Sequence, residues 1–341
     1  MKKYLIRLYR IKLLLKYLKL FFNRKNNSSF TLLIPKLNLL YFFRVNFIWD
    51  LATLIHFKNS NISYNIVVGL KNIGSIKNSK VIYNPGYEIN YWNTDNDVAF
   101  FTLLSKLLEN QSNLVLPSSY EINFWENKSF MHESFNSAKI KSPKTYIVEL
   151  NNIDSILATI DLSKLWLYKP NHSKSAIGII QIKSNLENFL RDKLKHTRQV
   201  VIQEIINIDK DCRIILINDK VILQYWRNKI ESTEWVPTST SSGSKVSFMN
   251  YTKSLEDWVL DATKKLNLRS AAWDIVFDVN DEKLENPMAL EVSPIYYPNP
   301  RENYNSELTY LKYKDSFKFD TYLLNEFITH IEEKTSVWKL K

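Results

Sequence analysis

Two carboxylates in the C-terminal third of the chain have the type and spacing of a cation site. Asp274 lies in AAWDIVFDV (271–279) and Glu291 in PMALEV (287–292), two runs whose alternation predicts β-strands. A connection of about eight residues lets the strands pair antiparallel with both carboxylates on one side. Two such groups repel each other unless a cation lies between them, and Mg²⁺ suits oxygen ligands. The alternative is that the two carboxylates lie on separate surface faces or pair with Lys or Arg. Taken alone, these two strands favour that alternative.

Two lysines upstream could bind the matching anion. Lys169 ends the apolar strand LWLYKP (165–170), where a half-buried ammonium needs an anionic partner such as a phosphate. Lys128 opens a helical stretch, WENKSFMHESF. The alternative is that both lysines are ordinary solvated residues, one at a strand end and one on the surface.

Arg213 and Arg227 belong to a predicted hairpin, CRIILI and VILQYWR, which turns at Asn218-Asp219-Lys220. Their guanidinium groups could clamp a phosphate or a carboxylate bidentately. Acidic residues that they could pair with instead are Asp209, Asp211 and Glu231. None of these signals is decisive by itself.

Composition restricts the class of protein. The chain has 341 residues, 45% hydrophobic and 13% aromatic, which is ample for a large core in two or three lobes. The single cysteine, Cys212, excludes an internal disulfide framework and a multi-thiolate zinc site, and it indicates a reducing, cytoplasmic setting. The five histidines show no ligand spacing such as HExxH, so a bound metal would need carboxylates.

The net charge of +11 comes from one segment. Residues 1–49 contain eleven Lys or Arg and no Asp or Glu, and the rest of the chain has 35 basic and 35 acidic residues. The neutral body offers no recognition motif for nucleic acid, so we expect no nucleic-acid partner.

Residues 1–29 form a basic arm whose cations alternate with apolar residues at helical spacing. The pattern predicts an N-terminal basic amphipathic helix that ends before Asn-Asn-Ser-Ser at 26–29. Its cations interrupt the apolar run too often for a signal peptide or a bilayer span. Two interpretations stay open: peripheral binding to an anionic membrane at its inner, cytoplasmic face, or docking on the body or on a second subunit in a homo-oligomer.

The rest of the chain predicts an α/β (α+β) protein. Residues 30–115 read as a small N-terminal α/β lobe with a helix at 96–109. The elements expected after it are strands at 145–150, 165–170, 177–182 and 200–206, the hairpin, helices at 152–160, 185–196 and 255–266, and the two final strands.

Taken in order, these motifs resemble the ATP-grasp superfamily, in particular the branch of glutathione synthetase and the ribosomal-protein glutamate ligase. The resemblance covers roughly 115–300. It is carried by ENK with KSPKTYIV, then LWLYKP, VIQEII, DCRIILINDKVILQYWR, and AAWDIVFD followed by LEVSP. It implies an ATP-grasp domain over 116–335 with ATP between two lobes.

The resemblance also implies a role for each matched residue. The positions are Lys128 and Lys169 for the ATP phosphates; Gln203, Glu204, Ile205, Ile206 and Asp211 for further nucleotide contacts, the backbone at 204–206 meeting the adenine; Arg213 and Arg227 for the γ-phosphate or the acyl substrate; and Asp274, Glu291 and Ser293 for Mg²⁺. Two departures stand out. Ser293 replaces the usual Asn ligand, and the phosphate loop NHSKSAIG has only Gly178, so that His172, Ser173, Lys174 and Ser175 would supply donors.

The implied activity is an ADP-forming carboxylate-amine ligase that makes an amide through an acyl phosphate. Phosphoryl transfer needs positioning and charge neutralisation rather than a covalent nucleophile, which agrees with the lack of a Ser-His or Cys-His arrangement. Two alternatives remain: a small-molecule or glycan phosphotransferase on the same fold, and a degenerate nucleotide-binding, membrane-recruited module. The carboxylate and amine substrates, small molecules or glycans, are not readable from the sequence.

Overall fold

The structure is a computed structural model. It describes residues 2–22, 28–35, 41–42, 45–85, 94–173, 176–183, 185–217, 219–232, 235–239, 243–247 and 251–296. The chain divides into two compact units, 1–122 with 295–341, and 123–294.

The first unit contains a parallel sheet with helices, as predicted for a small α/β lobe. Its elements are α1 (Lys2–Phe22), β1 (Phe30–Ile34), α2 (Val45–Asn59), β2 (Tyr64–Val68), a 3₁₀ turn (Ile73–Ser75), β3 (Lys80–Ile82), α3 (Thr94–Glu109), β4 (Leu114–Leu116) and α4 (Ser119–Asn123), which runs to the unit boundary. The strands lie in the order β2-β1-β3-β4, and all neighbours are parallel. β4 spans the expected division between 115 and 116.

Helix α1 packs on this unit. Leu13 and Leu20 are buried in a core that α2 supplies with Phe47, Ile48 and Leu51. The hydroxyl of Tyr64 on β2 donates a hydrogen bond to the Leu20 carbonyl, 2.9 Å away. Docking on the body, one of the two interpretations of the basic arm, is therefore observed. Among the described residues, no helix combines the length and the apolar character needed to span a bilayer.

The second unit contains two sheets that are mainly antiparallel. Its elements are α5 (Lys128–Ser137), β5 (Thr145–Glu149), α6 (Ile153–Thr159), β6 (Trp166–Lys169), β7 (Ile180–Gln181), α7 (Leu186–Leu194), β8 (Gln199–Glu204), β9 (Lys210–Ile217), β10 (Lys220–Asn228), β11 (Lys245–Ser247), α8 (Lys253–Lys265), β12 (Ser270–Val276) and β13 (Met288–Ser293). The sheet orders are β5-β8-β6-β7 and β11-β10-β9-β12-β13. The predicted mixed α/β architecture is confirmed.

Each sheet of this unit has its own apolar core. In the first sheet, α6 and α7 cover β8, whose Val200 and Ile202 are buried. In the second, α5 and α8 cover Trp226 and Trp273, and Trp273 donates to Thr263 on α8, 2.8 Å away. These cores hold the two sheets that carry the predicted site residues.

Two predicted details were wrong. The strand expected at 177–182 is only Ile180–Gln181, because a turn with Gly178 at φ +76° precedes it. The connection between the last two strands is longer than the expected eight residues or so, since β12 ends at Val276 and β13 begins at Met288. Within it, Asp281 accepts the N–H groups of Glu285 and Asn286, which closes a turn.

Candidate functional site

The predicted carboxylate pair forms on the second sheet. Asp274 on β12 lies directly opposite Glu291 on β13, and on its other side it lies opposite Arg213 of β9. Opposed residues of paired strands project from the same face. The predicted antiparallel pairing with both carboxylates on one side is therefore confirmed.

Two arginines bind the Asp274 carboxylate. Arg213 Nη1 lies 3.1 Å from Oδ1 and 3.2 Å from Oδ2, and Arg227 Nη2 lies 3.0 Å from Oδ2. Burial alone would raise the pKa of Asp274, but the charges of Arg213 and Arg227 outweigh it, and the pKa is below its ordinary value. Asp274 is therefore ionised at neutral pH, and the alternative that this carboxylate pairs with Arg is what the structure contains, while its role as a metal ligand stays a prediction.

Arg227 is held by a second carboxylate. Its Nε and Nη2 donate to the two oxygens of buried Asp211, each at 2.7 Å, and Thr238 Oγ1 donates to Asp211 Oδ2 at 2.9 Å. The alternative pairing of Arg227 with Asp211 is thus what the structure contains. In this arrangement Asp211 orients Arg227, which in turn orients Asp274. The direct contacts that the resemblance implied for Asp211 and Arg227 stay predictions.

Arg213 keeps unused donor capacity. Its Nε is buried and has no hydrogen-bond partner within the described part of the chain. Besides Asp274, the charges that act on its guanidinium include that of Glu291. A buried guanidinium N–H without a partner is costly, so this group is suited to an incoming anion.

Lys169 is buried rather than solvated. It lies at the end of β6 and is 8% exposed. Burial, together with the charge of Lys128, lowers its pKa from 10.5 to about 8, against the opposing pull of Glu291 and Asp274. The interpretation as an ordinary solvated strand end was wrong. The charges of Glu291 and Asp274, on the second sheet of this unit, therefore act on Lys169 at the end of β6 in the first sheet.

Lys128 is also buried, at 4% exposed. Its Nζ donates to the Ser173 carbonyl at 2.7 Å and lies 4.0 Å from a Glu126 carboxylate oxygen. The interpretation as an ordinary surface lysine was wrong. Lys128 is thus a second buried ammonium group, and its positive charge acts on Lys169.

The first turn of α5 positions Lys128 beside the loop that follows Lys169. Asn127 caps the helix by accepting the Phe130 N–H. The Lys128 N–H donates to the Asn171 carbonyl at 3.0 Å, and the Ser129 N–H donates to Asn171 Oδ1 at 2.7 Å. Local hydrogen bonds therefore join the two lysine-bearing segments.

Helix α5 also contacts the strand that carries Glu291. The Val292 N–H of β13 lies 3.2 Å from Met131 Sδ of α5. Phe135, one turn further along α5, stacks on Trp273 of β12 with ring centroids 5.8 Å apart. Packing thus places the lysine helix against both carboxylate strands.

His132 is a site residue that sequence reasoning missed. It lies one turn after Lys128, is buried, and has its Nε2 3.3 Å from Gln203 Nε2. Burial, then Lys169 and Lys128, lower its pKa from 6.5 to about 3. The imidazole is therefore neutral at pH 7 and adds no third positive charge to those of Lys128 and Lys169. The i, i+4 spacing from Lys128 was the available signal.

The predicted adenine segment follows β8. Gln203 is buried and donates to Thr145 Oγ1 at 2.9 Å, so its side chain joins the end of β8 to β5. The Glu204 N–H donates to the Lys144 carbonyl and the Ile205 N–H to the Leu165 carbonyl, each at 2.8 Å. The Glu204 carboxylate pairs with Lys164 at 2.9 Å. Two of the three predicted backbone donors are therefore already used within the chain.

The two departures from the family pattern lie beside the site. Ser293 is half-buried on β13, opposite Ala272 and two residues beyond Glu291, on the same face. Gly178 has φ +76°, and a Cβ there would lie 2.9 Å from the ring of Pro170, next to Lys169. Glycine is required at 178 for both reasons. Lys174 and Ser175 lie outside the described residues.

The donor set fits a magnesium ion that shares its ligands with a substrate. Among the described residues, no group of three or more His, Cys, Asp or Glu is arranged to hold a metal. Asp274 and Glu291 are two hard oxygen donors in direct opposition. Mg²⁺ typically takes one or two carboxylates and completes its shell with substrate phosphates and water.

Comparison with known proteins bears on the fold. No family model matches the chain, and no curated protein matches it. Solved structures do: D-alanine–D-alanine ligase from Bacillus anthracis with ATP has a TM-score of 0.55 at 13% identity, covering 92% of this chain and 99% of its own. The D-cycloserine synthetase DcsG has a TM-score of 0.54 at 11% identity, covering 89% and 99%. The ATP-grasp ligase PsnB with minimal precursor, Mg and ADP has 0.52 at 14%, covering 89% and 99%.

At these identities the likeness concerns the fold. The chain has the ATP-grasp fold, and the resemblance derived from the order of its motifs is confirmed at that level. The ligands and products in the names of these structures are properties of those proteins.

Proposed function

We propose that this protein is an ATP-dependent, ADP-forming ligase that joins a carboxylate to an amine. The observation that carries the proposal is the pair of buried lysines, Lys128 and Lys169, in the unit that contains the Asp274–Glu291 pair, whose charges act on Lys169. Buried ammonium groups are suited to the phosphates of ATP, because charge-assisted hydrogen bonds to an anion replace the water that they have lost. The carboxylates are suited to the cation that accompanies those phosphates.

Each side chain then has a defined task. Lys128 exchanges the Ser173 carbonyl for a phosphate oxygen, and Lys169 regains a partner for its ammonium group. Arg213 directs its unpartnered Nε toward the γ-phosphate or the acyl substrate. Arg227, held by Asp211, keeps Asp274 in place. Asp274 and Glu291, with Ser293 as a weaker neutral donor, would hold Mg²⁺, which neutralises phosphate charge when bound.

The adenine would lie against the segment after β8. Since the N–H groups of Glu204 and Ile205 are already used, the N–H of Ile206 is the donor that we assign to the base. The hydrogen bonds of buried Gln203 to His132 and Thr145 support this segment, and the predicted contact of Gln203 with the nucleotide stays a prediction.

The reaction balances without a covalent enzyme intermediate. A substrate carboxylate oxygen attacks the γ-phosphorus, the bond to the β-phosphate oxygen breaks, and ADP leaves. An amine nitrogen then attacks the acyl carbon, phosphate leaves, and the amine gives up a proton as the amide forms. The chain's own contribution is charge neutralisation and positioning by its lysines and arginines.

The test is ADP release by purified full-length protein with Mg²⁺, ATP and panels of carboxylates and amines. We expect ADP and an amide product, and we expect Glu291→Gln to lower the rate on the order of 100-fold by weakening the site for the Mg²⁺ that accompanies the reacting phosphates. Exposed Glu133→Gln on α5 is the matched control and should retain the rate.

Three outcomes would contradict the proposal. A phosphate ester instead of an amide would indicate the phosphotransferase alternative. Calorimetry that detects no binding of Mg²⁺-ATP would indicate a degenerate module. Unchanged turnover in Glu291→Gln would remove the carboxylate pair from the mechanism.

A further inference from the structure

Helix α1 has apolar side chains on two different faces. One face packs on the first unit through buried Leu13 and Leu20, with half-buried Leu14, Tyr17 and Phe21 beside them. This face explains why the helix is docked. It does not explain the apolar residues on the other side.

The second face is exposed. Ile11, Leu15, Leu18 and Phe22 are between 38% and 72% exposed. Their spacing of four, three and four residues places them within about 60° of one another around a helix of 3.6 residues per turn. We call these four residues the exposed stripe. Over its length of roughly 16 Å, at 1.5 Å per residue, it presents a continuous apolar surface.

A row of lysines borders the exposed stripe. Lys12, Lys16 and Lys19 are exposed and, at 3.6 residues per turn, lie along one edge of the stripe. No Asp or Glu occurs in residues 1–49, so no acidic side chain of this segment offsets them. The surface therefore combines an apolar strip with positive charge, while the opposite side of the helix is bound to the protein.

We propose that the exposed stripe and its lysines bind the surface of an anionic lipid bilayer, with α1 lying parallel to it. Apolar side chains inserted at the headgroup boundary, with cations beside them, are the two contributions that hold an interfacial helix. A second copy of the chain is a poorer occupant, because two such faces would bring like-charged lysine rows together.

Docking of α1 on its own unit changes how this binding works. The helix is already folded and is held by Leu13, Leu20 and the hydrogen bond from Tyr64. Binding therefore requires no ordering of a free arm, and it attaches the first unit to the surface directly. This inference does not depend on the ligase activity.

Co-sedimentation of the full-length protein with vesicles tests the proposal. We expect binding to mixed phosphatidylglycerol–phosphatidylcholine vesicles and none to pure phosphatidylcholine. Changing Leu15, Leu18 and Phe22 together to Ser should weaken binding by at least about tenfold, and so should changing Lys12, Lys16 and Lys19 together to Gln. The matched control for the apolar changes is the double variant Leu103→Ser with Leu107→Ser, on the exposed side of α3. The matched control for the lysine changes is the triple variant Lys71→Gln, Lys139→Gln and Lys264→Gln.

A fluorescent label can report which face meets the lipid. The only cysteine, Cys212, is buried, so Leu18→Cys supplies one accessible thiol for an environment-sensitive dye. We expect a blue shift with anionic vesicles, and no shift for the same dye at Leu103→Cys. Wild-type binding by the stripe variant, or no binding of the wild type at low salt, would overturn the proposal. A dimer in solution that the stripe variant dissociates would identify a second copy as the occupant instead.

Discussion

At the scale of single residues, Lys169 shows how the site opposes stability. Its ammonium group is buried, and Lys128 adds a second positive charge, while Asp274 and Glu291 compensate only in part. The charged form is therefore less stable in the folded protein than in the unfolded chain. A buried cation whose pKa is lowered beside specific charge partners is typical of a functional site.

Replacing Lys169 by Met should therefore stabilise the protein while weakening ATP binding. The folded pKa is about 8 and the unfolded value 10.5, so the penalty is fully present below pH 8 and is lost as the pH rises toward 10.5. We expect Lys169→Met to raise the free energy of unfolding at pH 7 by about 3 kcal/mol, with the gain shrinking above pH 8. Urea denaturation at several pH values measures it. Exposed Lys139→Met is the control. If Lys169→Met were less stable than the wild type at pH 7, the attraction of Lys169 to Asp274 and Glu291 would outweigh the cost of burying its charge.

At the scale of elements, the strands β9, β10 and β12 are joined by a buried ion network. Arg227 binds Asp211 and Asp274, which lie on the two strands next to one another in the sheet. An exposed arginine with two carboxylate partners joins α7 to α6, where Arg191 binds Glu187 and Asp154. The two arginines thus have matching partners and different burial.

This pair allows a controlled measurement of burial. Arg227→Met leaves the buried carboxylate of Asp211 without a cation and leaves Asp274 with Arg213 alone, and we expect it to lower the free energy of unfolding by about 3–5 kcal/mol. Arg191→Met exposes its carboxylates to water and should cost less than about 1 kcal/mol. Denaturation followed by tryptophan fluorescence measures both. Equal losses would mean that water reaches Arg227 in the folded state.

At the scale of the whole molecule, each compact unit has its own apolar core. The first is built from α1, α2 and the parallel sheet, and the second from the two sheets that carry the candidate site. A change in one core should therefore be felt first by the unit that contains it.

Calorimetry should show two unfolding transitions that respond to different changes. Leu20→Ala removes buried side-chain volume from the first unit and should lower the stability of one transition by about 2–5 kcal/mol. Exposed Leu18→Ala on the same helix should change the free energy of unfolding for that transition by less than about 0.5 kcal/mol. Saturating Mg²⁺-ATP should raise the midpoint temperature of the other transition. A single transition that moves with both changes would contradict separate cores.

The sequence by itself determined what depends on local pattern. Alternation placed Asp274 and Glu291 on strands, the position of Lys128 predicted a helix start, and the order of the motifs identified the fold. These features depend on periods of two and 3.6 residues, which are legible within a short window.

Only the tertiary structure decided which groups meet and which are buried. The sequence left open whether Lys128 and Lys169 are solvated or bind an anion, and its one signal for His132 was the i, i+4 spacing from Lys128. Strand register and helix packing bring residues from distant parts of the chain together, which sets the burial that lowers the pKa values of Lys169 and His132. Burial and electrostatic coupling belong to the packed chain, because they depend on distances in space that local spacing does not contain.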